Sequence, residues 1–65
     1  MRTLRIYKLT KEAANRGIDW SNFEESDIKT AAEIEVEDEE ADAMAVDEIM
    51  YEYGFDSDMY GAEWL

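Results

Sequence analysis

The sequence predicts a small α+β domain: a two- or three-stranded sheet packed with one longer helix, over about residues 39–53, and one or two short helices. Three observations predict it. Leu4 and Ile6 alternate with Thr3, Arg5 and Tyr7, the period of a half-buried strand. Ala32, Ile34 and Val36 alternate with Glu33, Glu35 and Glu37 in the same way. From Asp38 onward the apolar residues recur instead at helical spacing and stop at a glycine. At 65 residues the chain, 1–65, is a single domain near the lower limit for folding without staples.

Each element has its own local reason. The first strand covers residues 3–9. Thr10 then has the hydroxyl of an N-cap, and Gly17 stands where a left-handed residue ends a short helix over Lys11–Arg16. Ser21-Asn22-Phe23-Glu24 matches a capping box and predicts a second short helical segment near residues 22–29. The segment Ala31–Asp38 is open to two readings, a strand or the start of one helix running from 31 to 53. Four consecutive acids at 37–40 interrupt any stripe of period 3.6, which favours the strand. Beside the first strand, Glu33 and Glu35 would then neutralise Arg5 and its basic neighbours. Asp38 is the expected N-cap of the longer helix, with Glu39 and Glu40 in a first turn whose dipole favours anions. Ala43, Val46, Ile49, Met50 and Tyr53 gather on one side of it as the core face, and Gly54 ends it. Met59, Ala62 and Trp64 belong to a third short strand or a terminal turn; Trp64 fits either core or contact surface.

Charge is the feature that speaks to function. The chain has 18 acids against six bases and a formal net charge of −12. Residues 1–17 hold five of the bases (Arg2, Arg5, Lys8, Lys11, Arg16) with Glu12 alone against them; the remainder holds the other 17 acids with Lys29 alone. Like charge at this density repels itself and costs stability. It disfavours direct binding to nucleic acid or to an anionic membrane, and favours a basic partner that it reaches quickly at low salt. Disorder is a rival outcome of high net charge, but the aromatic content and the clear periodicities weigh against it.

Several chemistries lack their residues. With neither Cys nor His there is no disulfide, thiolate or imidazole metal site, and no Cys or Ser–His nucleophile. The N-terminus has no apolar run of a signal peptide, and no stretch nears the roughly 18 apolar residues of a membrane span. A soluble, cytoplasmic protein is expected. Asp56-Ser57-Asp58-Met59-Tyr60-Gly61 resembles the start of a calcium loop, with acids at positions 1 and 3 and Gly at 6. Position 5 is Tyr60, however, and the bidentate Glu of position 12 is missing, so a turn is the expected structure and no cofactor or metal is expected. Carboxylate pairs such as Asp56/Asp58 and Glu24/Glu25 have the residue type for acid–base work, but so short a chain rarely encloses the pocket it needs. An enzyme is not expected.

The outward side of the longer helix supplies the candidate binding residues. Glu40, Asp47, Glu48 and Glu52 lie away from the core face, and Met44 and Tyr51, seven residues apart, sit among them. Apolar contacts framed by steering charges make an interaction face. Its bland alternative is a solvated acidic surface. With Glu33, Glu35, Asp56 and Asp58, and with Glu37 beside them, the carboxylates would form an extended negative surface. Duplex DNA carries one negative charge per about 1.7 Å of axis, so such a surface would compete for a Lys/Arg-lined groove.

A very short, Cys-free, strongly acidic chain with exposed aromatic residues resembles the small phage-type DNA-mimic inhibitors of host defence, the anti-CRISPR and anti-restriction proteins. The resemblance lies in size and charge, with no diagnostic motif, and the basic N-terminal third departs from it. It implies a monomeric, stoichiometric inhibitor in the host cytoplasm that occupies the DNA groove of a CRISPR effector or restriction enzyme, touching no nucleic acid or membrane itself. Two other classes fit the composition. One is an acidic regulatory protein of antitoxin or activation-segment type, for which the tail Phe55–Leu65 mixes acids with aromatic residues. The other is an ordinary domain of a salt-loving organism.

Overall fold

The computed structural model describes all 65 residues, Met1–Leu65. The elements in order are β1 (Arg2–Leu9), α1 (Lys11–Asn15), β2 (Ile28–Val36), α2 (Asp38–Ala43), α3 (Val46–Glu52) and β3 (Gly61–Trp64), with a single 3₁₀ turn at Glu25–Asp27 before β2. The three strands form one antiparallel sheet in the order β2-β1-β3, an α+β fold with β1 at its centre.

Alternation in β1 puts Leu4 and Ile6 on one face, both fully buried. Val36 from β2 and Ile49 and Met50 from α3 complete the buried cluster, with Trp64, Phe55, Met44 and Val46 packed around it. Only eight residues are buried, so stability hangs on a few side chains. The other sheet face carries Arg5 and Tyr7 and is covered by the loop after α1. There Trp20 and Phe23 meet the Tyr7 ring at centroid distances of 5.8 and 6.1 Å, and each other at 5.3 Å.

Helix α1 forms for the expected reasons. Thr10 Oγ1 accepts the Ala13 N–H at 3.1 Å, and Gly17 takes φ 78° where a side chain would be strained. Within the helical segment expected near residues 22–29 only the 3₁₀ turn Glu25–Asp27 forms, and its capping box joins Glu24 and Asp27 instead of Ser21 and Glu24. Ser21 donates both its N–H and its hydroxyl to Asp19, and Asn22 accepts the Asp19 N–H, so these polar side chains serve a local turn. Three residues later Glu24 donates its N–H to Asp27 Oδ2 at 3.0 Å and the 3₁₀ turn follows, after which β2 begins at Ile28.

β2 is therefore longer than its alternating sequence, and a bulge explains the difference. Ile6 pairs with Ala32 but Tyr7 pairs with Thr30, leaving Ala31 as an extra residue. The bulge reverses the phase, so Ile28 and Thr30 accompany Leu9 and Tyr7 instead of the core-facing Ala32, Ile34 and Val36.

The single longer helix is a correction. The chain breaks at Met44, which is extended at φ −113° and ψ 144°, giving α2 and α3 instead of one helix over 39–53. The N-cap is Glu37, not Asp38. The break also resets the helical phase. Ala41 and Met44 now reach the core along with Val46, Ile49 and Met50, whereas Ala43 and Tyr53 are exposed, contrary to the single-helix wheel. The far end is as expected, with Gly54 at φ 87°.

The last residues form a strand. Gly61 faces Tyr7 across β1/β3, and a Cβ on Gly61 would lie 2.4 Å from Tyr7 Cε1, so the Tyr7 ring fills the space that a side chain there would need. No helix is long and apolar enough to cross a membrane.

Candidate functional site

The central strand is basic and its neighbours are acidic, and the ion pairs follow from that. Arg5 Nη1 lies 2.8 Å from Glu63 Oε1 on β3 and 3.2 Å from Glu25, while Nε donates to Thr30 Oγ1 at 2.7 Å. The Glu63 hydrogen bond is the main reason the Arg5 pKa is raised above its ordinary value, against a smaller lowering by desolvation. Glu33, although opposite Arg5 in the register, makes no ion pair. The arginine instead leans along the strand, its guanidinium carbon 5.4 Å from the Tyr7 ring centre, where Thr30 and Glu25 meet it. The neutralisation expected from Glu33 and Glu35 therefore falls to Glu63 and Glu25.

Elsewhere Arg16 pairs with buried Asp27 at 2.5 Å, the N-terminal ammonium lies 3.6 Å from Asp38, and Arg2 lies 4.0 Å from Asp42. Five acids of 18 are thus engaged. Lys8 and Lys29 face each other across β1/β2 and make no ion pair, at the end of the sheet from which α1 departs. α2 begins at the opposite end, beyond the Arg2–Val36 pair. The molecule is 39 Å long and 18 Å wide.

The predicted binding residues fall into three places. Asp47, Glu48, Tyr51 and Glu52 are all exposed on α3, Tyr51 at 82%, because Ile49 and Met50 take the inward positions. Asp56 and Asp58 are exposed in the following loop, where Asp58 donates its N–H to Asp56 Oδ1 at 2.9 Å in the expected turn. Glu40 is half-buried on α2. Met44 is not beside Tyr51. It packs on the core cluster from the break between the helices, a correction that follows directly from the broken helix. Glu33 and Glu35 are exposed but opposite Arg5 and Thr3, on the sheet face away from α3, so they do not extend the α3 surface. Trp64 belongs to the core and lies under the Arg2 guanidinium at 4.5 Å.

Two grooves adjoin α3. One, of about 720 Å³, lies between α3 and the loop after it and is lined by Asp47, Glu48, Tyr51, Phe55, Asp56 and Ser57, with Gly54 in its wall. The other, of about 460 Å³, is walled chiefly by Tyr7, Trp20, Phe23, Val46, Met50 and Tyr60. Asp47 and Ser57 line both. The alternating pattern of β1 gave one clue to the second groove, since Tyr7 on a polar face calls for a cover. Nothing in local spacing marks Phe55 and Ser57 as partners of Tyr51; the turn at Gly54 brings them there.

Comparison with family models, with curated proteins and with solved structures finds no match.

Proposed function

We propose that this chain is an inhibitory binding protein whose carboxylates take the place of nucleic-acid phosphate in the basic groove of a host defence complex, a CRISPR effector first and a restriction enzyme second. One observation carries the reading. From Thr30 to Leu65 there is no Lys or Arg, and across α2, α3 and the loop to Asp58 only Asp38 and Asp42 receive a cation from within the molecule. The fold leaves that anionic surface to solvent. The other three neutralised acids lie elsewhere, Glu63 on β3 and Glu25 and Asp27 in the 3₁₀ turn.

The absence of bases adds direction. The surface of α2, α3 and the loop to Asp58 carries no Lys or Arg of its own, so a positive groove draws that surface in first, which raises the association rate at low salt. Aromatic contacts, Tyr51 foremost, then govern how long it stays. An approach of this kind blocks DNA by occupancy and needs no catalytic group.

The test is displacement. A labelled DNA duplex bound to a purified effector is titrated with the protein in about 50 mM salt. Release of the duplex at near-equimolar protein, weakening as salt rises, is the expected outcome. Continued DNA binding at a large excess of protein, across effectors and restriction enzymes, overturns the reading.

A further inference from the structure

We infer that the two grooves beside α3 form one recognition track for an extended protein segment, with an arginine side chain in the first groove and an apolar side chain in the second. The inference rests on the partner-binding reading above and names the chemistry of the contact. Asp47 and Ser57 belong to both walls, so a chain leaving one groove enters the other.

The first groove suits a guanidinium in particular. Asp47 and Glu48 make no ion pair within the molecule, and the Tyr51 ring stands exposed beside them. A planar cation stacks on such a ring while its N–H groups donate to carboxylates, and an ammonium does this less well. The second groove has a different character, because Trp20, Phe23, Val46 and Met50 offer apolar walls. Phosphate mimicry alone calls for no such groove, which is why a protein segment, and not a diffuse field of cations, is the assigned occupant.

Small amides test this without any defence complex. The intact ¹⁵N-labelled protein is titrated with N-acetyl-arginine amide, N-acetyl-lysine amide, N-acetyl-leucine amide and the peptide acetyl-Arg-Gly-Gly-Leu-amide. The arginine amide is expected to shift the signals of Asp47, Tyr51 and Gly54–Ser57 and to bind more tightly than the lysine amide. The leucine amide is expected to shift the Trp20 indole N–H and Tyr60. The joined peptide is expected to bind at least about tenfold more tightly than either fragment, since the second contact becomes intramolecular. Tyr51→Ala and Glu48→Gln, both outside the core, are expected to weaken the arginine amide about threefold and leave the leucine amide unchanged. Arginine-induced shifts spread equally over Asp38–Asp42, no preference over lysine, or a joined peptide no tighter than its parts would each overturn the inference. DNA displacement that succeeds while these titrations fail would leave the inhibitory reading standing without the track.

Discussion

Replacing Gly61 by Ala is a one-carbon change with a large expected cost. The added Cβ would lie 2.4 Å from Tyr7 Cε1, 2.6 Å from Cζ and 2.9 Å from Oη, well inside van der Waals contact. Gly61 sits in β3 opposite Tyr7, so the backbone cannot retreat without weakening the strand pair. The ring cannot swing away freely either, because Trp20 and Phe23 pack against it. Overpacking of this sort costs about 1–3 kcal/mol, and giving up the two aromatic contacts instead costs about 0.5–1.5 kcal/mol each. Either route predicts a loss of about 2 kcal/mol. A domain of this size has roughly 3–10 kcal/mol in total, so thermal unfolding followed by circular dichroism should show Tm lowered by about 8–16 °C. The cause is checked by a double-mutant cycle: in a Tyr7→Ala background the same Gly61→Ala change should be nearly free. An unchanged Tm for Gly61→Ala, or an equal cost in both backgrounds, would refute the packing argument.

Three further outcomes follow from the structure. Asp27→Ala removes the buried acceptor of Arg16 and of the Glu24 N–H and should cost about 1–3 kcal/mol in urea unfolding, with the 3₁₀ turn the first segment to lose amide protection. Because most acids lack an internal cation, added NaCl up to about 1 M, where the screening length is about 3 Å, should raise Tm; a fall would mean that internal ion pairs outweigh repulsion. Asp19 accepts the hydroxyl and the N–H of Ser21, which hold its pKa below 3.8, so its contribution to stability is complete above the ordinary carboxylate range and is lost as pH falls below 3.8. Carboxyl ¹³C titration should give a midpoint under 3.8 that moves back up in Ser21→Ala.

The parts of the fold legible in the sequence were those fixed by neighbours along the chain. Thr10 and Gly17 bound α1, and Leu4 and Ile6 mark the inner face of β1, without reference to anything distant. Ile28–Thr30 were hidden because the bulge at Ala31 breaks the alternation that would have tied them to Val36. The break at Met44 was hidden for a different reason. No proline or glycine stands there, and the advantage of turning both Met44 and Val46 inward exists only once the sheet is present. The candidate site inherits this division. Asp47, Glu48 and Tyr51 were readable as one helix face, because Ile49 and Met50 define its opposite. Met44 was misassigned to that face with the helix itself. The groove walls supplied by Phe55, Ser57 and the distant Trp20 are products of tertiary packing.

The most direct test of the central claim reverses charge on the helices. A Glu40→Lys, Asp47→Lys, Glu48→Lys triple variant, confirmed as folded by its near-ultraviolet dichroism, is compared with the parent in DNA displacement from a CRISPR effector. The parent should release the duplex, and the variant should leave it bound at the same concentration. A variant as effective as its parent would show that these carboxylates take no part in recognition.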